Sequence, residues 1–130
     1  MFGVIWTVQL VHYPLFAGVG TDGFTAYEAS HKARITWIVL PAMLLELGTA
    51  VALVWRRPEI IPAWAVWLSL VLVGVVWLST VLVQVPLHTK LSAGFDGETH
   101  THLVATNWVR TVAWTLRAGL ALWMTARLLR

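Results

Sequence analysis

The segment NWVRTVAWTLR sets Asn107, Arg110, Trp114 and Arg117 at spacings of 3, 4 and 3 residues, so a helix places an amide and two guanidinium groups on one face. Its other residues are apolar or small, and a cation facing hydrocarbon costs at least ~2.5–3.5 kcal/mol, so that face must look into protein. Three further segments carry similar stripes: Ile5, Gln9, His12 and Phe16, then Arg34, Ile38 and Glu46, then Trp77, Thr80, Gln84 and His88. The side chains His12, Gln84, His88, Asn107 and Arg110 form the candidate catalytic set. An imidazole is the side chain suited to taking a proton from a carbon beside a carbonyl near neutral pH, and His12 or His88 would be that acceptor. Arg110, helped by Asn107 and Gln84, can then stabilise the enolate-like oxygen. The other use of Arg110's charge is to snorkel toward an interface.

Depth pairs the remaining charges. At the helical rise, Glu46 and Arg117 both fall about 18–20 Å below the same boundary, with Gln9 near that level. Glu46 and Arg117 are therefore the expected structural ion pair, either fastening two helices or flooring a polar pocket.

Metal chemistry is the second use open to the histidines. His12, His31, His88 and His102 are candidate ligands for one transition-metal ion, Fe, Cu or Zn, and His100 alternates with His102 in THTH so that both point one way if the segment is extended. In YEASH, Glu28 and His31 have the Glu-x-x-His spacing of di-iron bundles, but such a site takes two copies and two further glutamates, and neither is present. Haem between two histidines is disfavoured, because His12 and His88 differ by about two turns in depth. Without a metal these are interfacial histidines, solvated or bonded to carbonyls.

The elements that must position these residues follow from composition. Of 130 residues 58% are hydrophobic and 12% charged, there are nine Trp, and the mean hydropathy is +0.74, which is too apolar for an ordinary soluble domain of this size. No cysteine is present, which excludes disulfides, thiolate metal sites and cysteine nucleophiles. The net charge of +3 is small and scattered, so nucleic acid is excluded as a partner. Apolar runs at about 2–19, 34–55, 63–86 and 103–129 each approach the ~20 residues a spanning helix needs. TDGFTAYEASHK, RRPEIIP and LHTKLSAGFDGETHTH read as the loops between them. The expected fold is all-α, one domain over residues 1–130, a four-transmembrane-helix bundle in a multi-pass plasma (cytoplasmic) membrane protein. Arg56, Arg57, Arg127 and Arg130 place both termini on the cytoplasmic side, against Lys32, Arg34 and Lys90 at the other end. The first helix is not expected to be a signal peptide, since no Lys or Arg precedes it. Trp77 and Trp114 are mid-helix on the polar faces, as core packing or as the wall of a pocket.

VPLHTKL followed, after a short polar loop, by LVATNWVRTVAWTLR resembles the DUF1772, or anthrone oxygenase-like, family of small four-helix membrane proteins. Its pattern falls on Val85, Pro86, His88, Leu91, Trp108 and Arg110, with His88 where the family has Asn, and the resemblance covers the C-terminal third. It implies oxygenation of a polycyclic phenolic carbonyl compound. The expectation is a membrane oxidoreductase of oxygenase-like type, acting on an apolar carbonyl or aromatic molecule in an outward-facing polar pocket. The alternative is a non-catalytic membrane subunit or small-molecule-binding module, whose polar residues fasten helices, a second copy or a partner subunit.

Overall fold

Pro14 and Pro86 interrupt helical runs, and a proline ring there clashes with the carbonyl four residues back and offers no N–H. In the computed structural model both are preceded at once by a widened π-turn, Val8–His12 and Thr80–Gln84, which contains that carbonyl in each case. The first helix, α1 (residues 2–18), therefore runs as α-helix Phe2–Thr7, the π-turn, α-helix Tyr13–Leu15 and a 3₁₀ turn Phe16–Gly18. A π-turn holds one extra residue, so the buried face advances by one position. Tyr13 is 4% exposed and takes the inward place that an unbroken helix gives to His12, while Ile5, Gln9 and Phe16 keep theirs.

Gly20 has φ 83°, which side chains avoid, and it turns the chain into α2 (Thr21–Trp55). This helix has 35 residues and begins well before the expected 34. TDGFTAYEASHK is its first three turns, not a loop: Asp22 suits the positive end of the helix, and Glu28 and His31 find partners that keep the polar stretch folded. The third helix, α3 (Ala63–Leu91), continues past Pro86, and α4 (Gly97–Leu128) starts before the expected 103. Asp96 caps α4 by accepting from the Thr99 amide at 2.7 Å, and hydrogen bonding from the Thr99 side chain and backbone holds its carboxyl below the usual carboxylate range. THTH is thus helical, and His100 and His102 face different ways. His100 donates from Nε2 to the Tyr13 carbonyl at 2.8 Å, whereas His102 is exposed.

The chain is 87% helix with no strand, and α2 and α3 are long and apolar enough to cross a membrane. The helices form a bundle in which α4 packs on both α1 and α3, and α2 leans on α3. Ile5, Phe16, Phe24, Leu91, Leu103 and Trp114 belong to the main core, and Ile61, Ala65, Val66 and Met124 close the opposite end. The inner stripe of α2 is Phe24, Glu28, His31, Met43 and Ala50, while Arg34 and Ile38 are exposed. The expected stripe is therefore rotated: Arg34 sits near the polar end of a long helix and reaches solvent.

Two polar layers join the helices. Asn107 donates to Gln9 Oε1 at 2.8 Å, Thr111 donates to the same oxygen at 3.3 Å, and Gln9 donates to the Val104 carbonyl at 3.1 Å. Gln9 is thus bound to Asn107 rather than to the charged pair. Deeper, Arg117 Nη1 is 3.0 Å from Glu46 Oε1, Arg117 Nη2 donates to the Glu46 carbonyl, and Trp114 Nε1 donates to Glu46 Oε2 at 2.7 Å. Both ionic side chains are mostly buried, so removing one strands the other at about 3–5 kcal/mol. Glu46→Ala should accordingly lower unfolding stability in mixed micelles by that order, and Glu46→Gln with Arg117→Met should lower it by less than half as much. Equal losses would exclude a stranded charge as the cause.

Candidate acid-base site

Two helical hairpins bring the chemical residues to one level. His12 precedes the Gly20 turn by eight residues and His31 follows it by eleven, so once residues 21–31 are helical the two imidazoles meet, with His12 Nε2 2.7 Å from His31 Nδ1. The difference in depth between His12 and His88 disappears for the same reason: the His31 and His88 rings stack with centroids 5.3 Å apart. Phe16, wholly buried, is the apolar hub of the group, with its ring 5.1 Å from His31 and 6.3 Å from both His88 and His100.

His88 is held from both sides. Its Nδ1 is 2.6 Å from Glu28 Oε1, and its Nε2 is 2.9 Å from the Tyr13 hydroxyl. A carboxylate only accepts, so with Glu28 ionised His88 donates from Nδ1 and is left with a lone pair on Nε2 that accepts from Tyr13. The result is a directed relay, Tyr13 to His88 to Glu28. Glu28 is 0% exposed, and its Oε2 has no partner.

A cavity of about 400 Å³ lies between α2 and α3 beside this relay. Val39 and Met43 of α2 and Trp77 and Val81 of α3 give it apolar walls. Tyr13, Gln84, His88 and Arg110 give it a polar end. Arg110 is 6% exposed and takes part in no ion pair; its guanidinium lies 5.1 Å from the Trp114 ring, and its Nε has no hydrogen-bond partner. Gln84 donates to Thr106 at 3.0 Å but leaves Oε1 unpaired, and Trp77 Nε1 is also unpaired. Three lining residues thus each hold a buried polar atom with no partner, as do Glu28, Asn107 and Arg117, which do not line the cavity.

Of the five residues expected to act together, Gln84, His88 and Arg110 line this cavity. His12 reaches it only through His31, and Asn107 is 0% exposed and spent on Gln9. The expected metal set does not assemble. His12 and His31 point nitrogens at each other at hydrogen-bond distance instead of at a common third point, His88 is spent on Glu28 and Tyr13, and His102 borders a separate groove with Lys90. No three His, Asp or Glu side chains are arranged to hold a metal ion. Tyr13 is a site residue that spacing misses, and the pairing of Glu28 with His88 is another feature that it misses, since spacing joins Glu28 only to His31. Pro14 is the signal for the first, since a proline within a helical run announces a register change.

The chain matches no family model, no curated protein and no solved structure. The residues on which the expected resemblance to the anthrone oxygenase-like proteins rests have definite places: Pro86 follows the second π-turn, Leu91 is fully buried, and His88 and Arg110 line the cavity. Trp108 is 42% exposed and packs edge-on to Trp6 at 5.7 Å.

The relay makes a spectroscopic prediction. With the imidazoles neutral, ¹⁵N spectra should show His88 protonated on Nδ1 and bare on Nε2. Glu28→Gln, which keeps a carbonyl acceptor, should preserve that tautomer. Glu28→Leu should abolish it and cost about 1–3 kcal/mol, by leaving a buried donor unpaired. An Nε2–H tautomer in the unaltered protein would rule out transfer from Tyr13.

Proposed function

We propose that this protein is a membrane-embedded oxidoreductase of oxygenase-like type, whose cavity binds an apolar carbonyl or aromatic molecule and removes a proton from it. The observation that carries this reading is Arg110, a buried cation without an acid, at the polar end of an apolar-walled cavity and next to a Tyr–His–Glu relay. Such a cation is suited to an oxygen on which negative charge develops.

For an enolisable tricyclic ketone such as anthrone the steps balance. Tyr13 oxygen takes a proton from the ring CH₂ as it passes its own to His88 Nε2, and Glu28 stabilises the imidazolium. Arg110 receives the enolate oxygen. The carbanion carbon then bonds to dioxygen, the resulting peroxide anion takes the proton back from His88 through Tyr13, and loss of water from the hydroperoxide leaves the quinone, so that anthrone and dioxygen give anthraquinone and water. This choice of substrate class follows from the resemblance read in the sequence alone.

The proposal includes four membrane spans with both termini cytoplasmic, in the plasma membrane. Supporting it are the outward apolar faces, with Trp37, Leu45, Leu78, Leu82 and Leu122 each more than half exposed, and the arginines at one end of the bundle. A non-catalytic, helix-fastening role has its own support in the Gln9–Asn107 and Glu46–Arg117 layers, but these give Arg110 no acid and touch it only through the Trp114 ring.

Arg110 separates these readings. Arg110→Leu removes a buried cation that has no acid, so the melting temperature should stay level or rise, while anthrone-dependent oxygen uptake should fall about 10²–10³-fold, the usual loss for one oxyanion donor. Tyr13→Phe and His88→Phe should each lose at least about 10²-fold. Unchanged uptake in all three variants, or no uptake above the protein-free rate, would overturn the catalytic reading. For the topology, a reporter fused after Arg130 should be active only in the cytoplasm, and a tag near Gly97 should be reached by impermeant reagents from outside. The reverse pattern would invert the site.

A further inference from the structure

The cavity has an unusual boundary. Toward the loop end of the bundle, Lys32 Nζ donates to Ser92 Oγ at 2.7 Å, tying α2 to the end of α3, and the Phe16-centred aromatic group fills the adjoining space. Toward the opposite end, α2 and α3 come together along the first part of α3. Between these closures the two helices stand apart, and the outward-facing edge of the gap is largely apolar: Leu40 is 44% exposed, Val81 and Val85 are each 53% exposed, and the hydroxyls of the exposed Thr36 and Thr89 are the polar groups along it. The cavity is therefore closed above and below and open at the side.

Its polarity runs along the bundle axis. His88 and Tyr13 belong to the loop end, while Met43 lies about 12 Å further along α2 than Ile35 by the rise per residue, in a stretch walled by Val39 and Trp77. Counting ~20 residues of spanning helix back from Trp55 puts Ile35 at the outer edge of the hydrocarbon layer. The polar end of the cavity then sits at headgroup level and the apolar end among acyl chains, which is the orientation an amphiphile already holds in a leaflet.

We infer that the ligand is a bilayer-dissolved amphiphile with one carbonyl or ionisable oxygen, which slides sideways from the outer leaflet between α2 and α3 and reaches Arg110 without passing through water. This rests on the membrane-embedded reading above and replaces its outward-opening pocket with a lateral slot. Arg110 selects the oxygen head, since a hydrocarbon leaves the guanidinium unpaired. The Lys32–Ser92 tie keeps bulk water from the relay, where it would compete for the proton.

The chain has no cysteine, so single cysteines can be introduced and spin-labelled without background. Labels at Val39→Cys and Thr80→Cys, inside the slot, and at Ala93→Cys, exposed in the connecting turn, are compared in lipid nanodiscs by power saturation with dioxygen, which dissolves in the bilayer, and with a neutral nickel chelate, which dissolves in water. The inner labels should collide with oxygen at least five times as effectively as with nickel, and the Ala93 label should show the reverse. Nickel collisions at Val39 or Thr80 equal to those at Ala93 would overturn lateral entry. A second arm narrows the slot from its exposed edge with Val81→Trp, a site where the side chain faces outward and folding is checked by melting temperature. Anthrone-dependent oxygen uptake should fall at least tenfold. Uptake unchanged in a folded Val81→Trp protein would also overturn lateral entry and leave the catalytic reading intact. If the unaltered protein shows no uptake at all, the catalytic reading fails, and the collision ratios still decide whether the cavity opens to lipid.

Discussion

A guanidinium cannot be moved out of water without something to offset the loss of hydration, and this constraint organises the bundle. Arg110 and Arg117 lie on one face of α4 two turns apart, yet they meet it differently. Arg117 has a carboxylate at 3.0 Å and a carbonyl as well, and Glu46 in turn has the Trp114 indole. Arg110 has an aromatic face at 5.1 Å and a cavity. The first arrangement is neutralised within the protein and ties α2 to α4, although Arg117 Nε, like Arg110 Nε, has no hydrogen-bond partner. The second has no acid, and it is this missing counter-charge, beside a cavity, that a ligand oxygen would supply.

The positions of the other site residues depend on two backbone defects. Each π-turn relieves a proline that would otherwise drive into its own helix, and each rotates the residues that follow it. Without the turn at Val8–His12, His12 would face the interior and Tyr13 would face outward; with it, the phenol comes to lie 2.9 Å from His88. The second turn carries Gln84, whose carbonyl oxygen is left free beside the cavity. Pro41 lies within α2 and is accompanied by no such turn, so proline alone does not predict one.

Much of the architecture was readable because apolar runs near twenty residues and a 3–4–3 spacing of polar groups admit few interpretations. The helix count, the inward stripe on α4 and the contact between Glu46 and Arg117 come from those two facts. What escaped reading has a common cause: hydropathy registers where a helix is apolar, not where it is helical. α2 and α4 run about 52 and 48 Å at 1.5 Å per residue, well beyond a hydrocarbon layer of ~30 Å, and their polar extensions carry Glu28, His31 and His100. Taken as loops, those segments left His12 and His88 at unequal depths, which argued against haem, and left the imidazoles free for a metal ion. Folded as helices, they bring His12 to His31 and Glu28 to His88, and the nitrogens become hydrogen-bond partners instead of ligands.

The charge arrangement of the proposed reaction follows from the same constraint. Before a ligand is deprotonated the compartment contains one anion, Glu28, and one cation, Arg110, held apart by His88 and Tyr13 rather than in contact. In a poorly hydrated interior, separated opposite charges are a costly state. Moving a proton from the ligand through Tyr13 to His88 creates two new charges, but each appears beside its opposite: imidazolium against the Glu28 carboxylate, and ligand oxygen against the Arg110 guanidinium. Net charge is unchanged, and one separated pair becomes two adjacent ones. The surroundings that make Arg110 expensive in the empty protein are then what favours the ionised ligand, so the cost of burying an unpaired arginine and the stabilisation of the enolate have the same electrostatic origin.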